Sequence, residues 1–168
     1  MEGIKNMNRC KFKIKIFIII GIILIIIMGL VSRCNNAMLL KINWELSVPN
    51  PKSIEVIYNF EYREGNDFEI WSYDSSDIEN MKEHDGFKII TEDNIDLVKG
   101  FFEKYYDDLS YDEEKISKFK ENFSIENEIK EDNYYLLIKD DEGTIDEDFL
   151  LLYLDVQNNK VYYFSSVR

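Results

Sequence analysis

Phe149-Leu150-Leu151-Leu152-Tyr153-Leu154 carries an apolar side chain at every position, so an extended chain here needs cover on both of its alternating faces. That marks a strand near the middle of a sheet. Tyr134–Lys139 before it and Val161–Ser166 after it are rich in the aromatic and β-branched residues that suit pleated backbone, and Gln157-Asn158-Asn159-Lys160 supplies a tight turn between the last two. The simplest connection is a three-stranded meander.

Working back from this meander, Ile54, Val56, Tyr58, Phe60 and Tyr62 alternate with Glu55, Asn59 and Glu61, the period of a half-buried strand. Glu64-Gly65-Asn66-Asp67 reads as a turn, and Phe68–Tyr73 as the returning strand of an antiparallel hairpin.

Between hairpin and meander the period changes to that of helices. Ser76-Asp77-Ile78-Glu79 fits a capping box opening a short helix over Asp77–His84, which Asp85-Gly86 ends. Thr91 is placed to cap a longer helix whose apolar stripe is Ile95, Val98, Phe102, Tyr105 and Leu109. Gly100 interrupts that helix at a cost of about 1 kcal/mol relative to Ala, which suggests a second backbone passing close by. Ser110-Tyr111-Asp112-Glu113 reads as another capping box, opening a helix that ends near Asn122 and buries Ile116, Phe119 and Phe123. Hairpin, helices and meander together predict a small α+β domain over residues 54–168. Its antiparallel sheet is expected to carry about three helices on one face.

The N-terminal quarter has a different character. Ile16–Val31 (IFIIIGIILIIIMGLV) is unbroken apolar sequence, preceded by Lys5, Arg9, Lys11, Lys13 and Lys15 and followed by Arg33. A helix of that length spans about 24 Å against a hydrocarbon core of ~30 Å, so Lys15 and Arg33 would snorkel toward the headgroups. Four segments follow from this reading. Residues 1–15 form a basic cytoplasmic segment, 16–33 a transmembrane signal-anchor that engages the lipid bilayer, 34–53 a stalk, and 54–168 an extracytoplasmic domain. Within the stalk, Leu40, Ile42, Trp44, Leu46 and Val48 alternate as in a first strand until Pro49-Asn50-Pro51 imposes extended backbone, and Trp44 is expected to pack into the domain, with anchoring at the membrane interface as the alternative.

Two other fates compete with a retained anchor. A cleaved signal peptide has similar regions, but the Asn36-Ala37 neighbourhood is a poor cleavage site. Val31-Ser32-Arg33-Cys34 resembles a lipobox that would place a lipid on Cys34, except that Arg33 stands where that box requires a small residue. Cys10 and Cys34 are the only cysteines and fall on opposite sides of the anchor, so the outer domain holds no disulfide.

Charge narrows the function classes. The chain carries −13 overall, and residues 1–37 hold six Lys/Arg against one Glu, leaving −18 on the remainder. Phosphate backbones and anionic lipid surfaces repel such a domain, which argues against nucleic acid and leaves a protein or peptide partner, a basic one included. An acidic surface also keeps a domain soluble and monomeric without any partner.

The residues that could carry chemistry are few. His84 is the only histidine, no nucleophile motif surrounds any serine, and the outer domain cannot assemble the usual nitrogen and sulfur ligands of zinc. Asp140, Asp141, Glu142, Asp146 and Asp148 concentrate carboxylates between two predicted strands, a candidate site for calcium. The spacing is not that of an EF-hand, because Ile138 falls at the first ligand position and Phe149 at the twelfth. A solvated loop explains the same residues. Tyr134-Tyr135 and Tyr162-Tyr163 each place one ring on the outward sheet face, a candidate surface for a partner. The expected function is a non-enzymatic, membrane-tethered binding or regulatory module. The alternatives are a bacterial self-protection protein that neutralises a basic toxin and a small surface hydrolase using paired carboxylates.

Overall fold

The structure is a computed structural model, and it describes residues 37, 38, 40–42, 44–59, 65–109, 111–139 and 148–167. The chain divides into two compact units, Met1–Asn50 and Pro51–Arg168.

In the first unit, residues 37, 38, 40–42 and 44 are helical, which corrects the strand expected from the alternation of Leu40, Ile42 and Trp44. In a strand Leu40 and Ile42 would share a face, whereas here Leu40 is 2% exposed and Ile42 is 63% exposed. Glu45 adopts a left-handed conformation (φ 54) and the Leu46 N–H donates back to the Leu40 carbonyl at 3.3 Å, which turns the chain at the helix end. Among the described residues no helix is long and apolar enough to cross a membrane. The run 16–33 and Cys34 lie outside the described residues.

The second unit is an α+β domain built on a six-stranded antiparallel sheet with four helices among its described residues. The strands are β1 (Ser53–Tyr58), β2 (Gly65–Ser72), β3 (Lys88–Ile89), β4 (Tyr134–Lys139), β5 (Phe149–Asp155) and β6 (Lys160–Val167), in the order β1-β2-β6-β5-β4-β3. The helices are α1 (Ser75–Lys82), α2 (Ile95–Asp108), α3 (Glu113–Asn122) and α4 (Ile125–Glu128). The hairpin and the meander form as the sequence predicts, and β6 joins them by pairing with β2 from Gly65↔Val167 to Ser72↔Lys160.

Register divides the sheet into two faces, because alternate residues of each strand point to opposite sides. Phe68, Ile70, Tyr135, Phe149, Leu151, Tyr153, Tyr162 and Phe164 form one face and pack with Val98, Phe102, Tyr105, Leu109, Phe119, Phe123 and Ile129 from the α2–α4 region. This core is largely aromatic. Phe68 and Phe164 are cross-strand partners stacked at 4.5 Å, and Phe102 and Phe123 bring α2 and the end of α3 together at 4.9 Å. Such pairs contribute about 0.5–1.5 kcal/mol each beyond the apolar area they bury.

Leu150, Leu152 and Leu154 point to the second face and are also fully buried, so β5 is covered on both sides as its sequence demands. The single-face arrangement of helices expected from sequence is corrected here. The Lys82 ammonium at the end of α1 sits 5.6 Å from the ring centre of Tyr134, and a side chain at Gly86 would come within 2.8 Å of Leu136 Cδ1. Tyr134 and Leu136 belong to the second face, so the end of α1 and the following turn lie against it while α2–α4 line the aromatic face.

Three local expectations change for identifiable reasons. Gly65, Asn66 and Asp67 belong to β2 rather than to a turn, because β6 is long enough to pair with them. Helix α1 begins one residue before the predicted capping serine, with Asp74 at its N-cap, and α3 is capped by Asp112, whose Oδ1 accepts from the Lys115 N–H at 3.0 Å. Among the described residues no backbone from outside the helix approaches Gly100, since a Cβ there would meet nothing within 4 Å.

Candidate binding surface

The four tyrosines singled out by sequence separate into two pairs. Tyr135 and Tyr162 are each 5% exposed and belong to the aromatic core. Tyr134 and Tyr163 lie on the second face and are half-buried. The alternation therefore assigns the faces as expected, but the face they share is not an open row of rings. Tyr163 stacks on Trp71 at 5.1 Å with 13° between the planes, and Trp71 is 1% exposed. The Trp71 indole N–H donates to Glu69 Oε2 at 2.6 Å, fixing the ring over its strand neighbour. Ser165 Oγ donates to Asp67 Oδ2 at 3.0 Å on the same face. Burial, helped by the Asp67 and Glu69 carboxylates, pushes the Tyr163 hydroxyl up to about 12, so it stays a neutral donor at physiological pH.

Sequence reading passed over Trp71, Glu69 and Asp67 as surface chemistry. The available signal was period two, because Asp67, Glu69 and Trp71 share a face of β2 and lie opposite Ser165, Tyr163 and Val161 of β6.

A second polar network fastens the opposite end of β5. Asn133 Nδ2 donates to the Tyr153 hydroxyl at 2.6 Å, and that hydroxyl donates to the carbonyl of Glu128, the last residue of α4. Asn133 Oδ1 accepts from the Val156 N–H at 3.0 Å, and its own carbonyl accepts from the Ile90 N–H at 2.7 Å. Asp132 holds a left-handed backbone (φ 65) beside it and donates to the Ile90 carbonyl. The buried Asn133 thus bonds directly to Tyr153, Val156 and Ile90, and reaches Glu128 through the Tyr153 hydroxyl. Burial dominates the Tyr153 hydroxyl and raises it to about 12, against the lowering effect of its hydrogen bonds. These contacts hold structure together.

His84 is exposed, and its Nδ1 accepts from the Gly86 N–H at 3.1 Å, so it shapes the turn after α1. Of the acidic loop proposed for calcium, Asp148 is described and stands immediately before β5, while Asp140, Asp141, Glu142 and Asp146 lie outside the described residues. Among the described residues no group of three or more His, Cys, Asp or Glu side chains is gathered as a metal site.

The sheet has two unequal edges. The β3 edge is two residues long, whereas β1 offers six residues, with Val56 half exposed (51%) and Ser53 and Glu55 exposed. Short length is a common protection against strand addition, and it operates at only one side of this sheet.

Comparison with protein-family models, with curated proteins and with solved structures gave no match.

Proposed function

We propose that this chain is a membrane-anchored, non-enzymatic binding or regulatory module whose α+β domain faces the extracytoplasmic side. One observation carries the reading: the uninterrupted apolar run Ile16–Val31, with five cationic residues before it and a strongly acidic remainder after it. Residues 16–33 act as a signal-anchor and residues 34–53 as a stalk. Tethering confines the domain to the membrane surface and raises its effective concentration toward any partner there. The use of the tyrosines favours binding over catalysis. The Tyr105 and Tyr153 hydroxyls are taken up by structural hydrogen bonds, and the single imidazole is engaged with the backbone of its own turn.

Protease added to intact cells expressing the full chain tests this reading. Cleavage of the domain, with a membrane-retained fragment that resists carbonate extraction, is expected; protection equal to that of a cytosolic marker rejects it.

The charge of −18 beyond residue 37 favours a second reading, a self-protection protein that neutralises a basic toxin. It predicts rescue of cells from a cationic protein toxin, with an association rate that falls steeply as salt rises.

A further inference from the structure

We propose that the outer edge of β1 is a strand-addition site for an extended cationic segment of another protein. The inference rests on the binding-module reading but not on the membrane anchor. Among the described residues no strand lies beyond β1, so the outward row of N–H and C=O groups along Ser53–Tyr58 is available for a seventh strand. The sequence of this edge does little to prevent it. No proline or lysine lies inside SIEVIY, the β-branched Val56 is 51% exposed, and the only irregularity is a register shift between Val56 and Tyr58. The opposite edge contrasts with it, because β3 is cut to two residues.

Charge selects the occupant. Each chain carries −13, so two copies meeting edge to edge repel one another. A strand alternating lysine with apolar residues meets the opposite condition. Its lysines can face Glu55 and the acidic remainder of the domain while its backbone extends the ladder, and its apolar residues can lie beside Val56.

The test uses the full chain in a zwitterionic detergent and three synthetic octapeptides: alternating Lys/Val, alternating Glu/Val, and Lys/Val methylated at every peptide nitrogen. Hydrogen exchange followed by mass spectrometry should show the Lys/Val peptide protecting a fragment spanning residues 53–58. Val56→Lys, a surface change that leaves folding intact by circular dichroism, should weaken capture about tenfold. Equal binding of the methylated peptide overturns strand addition while leaving an acidic binding module in place. Equal binding of the Glu/Val peptide overturns the choice of a cation, and concentration-dependent dimerisation that protects residues 53–58 without peptide overturns it in favour of a second copy. Failure of all three peptides to bind overturns the edge site and removes its support from the binding-module reading as well.

Discussion

The Tyr105 hydroxyl donates to the backbone carbonyl of Asp67 at 2.7 Å, one residue beyond the last β1–β2 pair, Tyr58↔Phe68. A ring from the middle of the aromatic core thus satisfies a sheet carbonyl where β1 no longer runs alongside. The Tyr58 hydroxyl lies 3.1 Å from the Tyr105 hydroxyl, and burial raises Tyr105 well above the ordinary phenol range.

Tyr105→Phe should therefore cost about 1–3 kcal/mol, the penalty for leaving a buried carbonyl without its donor while conserving ring volume. Urea unfolding followed by far-ultraviolet circular dichroism checks it; a change below about 0.5 kcal/mol would contradict the assigned bond.

Tyr73 behaves in the opposite way. It is 5% exposed and its hydroxyl has no hydrogen-bond partner among the described residues, so Tyr73→Phe is expected to be neutral or to stabilise by up to about 1 kcal/mol. The pair of tyrosine-to-phenylalanine variants should thus move the urea midpoint in different directions.

Gly100 and Gly86 form a second contrast. A Cβ at Gly100 meets open space inside a regular helix, so Gly100→Ala should stabilise by about 0.5–1 kcal/mol and raise Tm by a few degrees. Gly86→Ala forces Leu136 Cδ1, 2.8 Å away, and His84 Nδ1, 3.3 Å away, to move. It should destabilise by about 1–3 kcal/mol, because Leu136 is 3% exposed and closely packed. Differential scanning calorimetry on both variants measures the two signs.

Alkaline pH should unfold the domain cooperatively. Tyr153 and Tyr163 titrate near 12 in the folded chain and near 10 when unfolded, so the unfolded state loses its protons first. Their stabilising effect is complete below about pH 10 and falls away between about pH 10 and 12, by up to ~1.4 kcal/mol per group per pH unit. Urea midpoints at pH 8, 10 and 11 should be flat over the first interval and drop over the second. Tyrosinate absorbance at 295 nm should rise together with the loss of structure.

Much of the domain was readable where side-chain period and strand length agree. The all-apolar run in β5 announced a strand buried on two faces, and the stripe Val98, Phe102, Tyr105 announced the inner side of α2. What escaped reading depended on partners distant in sequence. Two-residue β3 has no period, and only its pairing with Tyr134 and Tyr135 makes it a strand. Asp67 looks like a turn residue until Ser165, 98 positions later, gives its carboxylate a partner. Leu40 and Ile42 alternate convincingly, but helical geometry gave them opposite environments. The candidate surface was legible as to face and not as to cover. Pleating alone sent Tyr134 and Tyr163 to the same side, whereas the stacking of Tyr163 on Trp71 arose from cross-strand register.

The hairpin and the meander touch within the sheet only through β6, the last strand to be made. A ribosome releasing this chain vectorially therefore cannot complete the sheet until nearly all of the domain has emerged, and the earlier strands remain an open half-sheet in the interval.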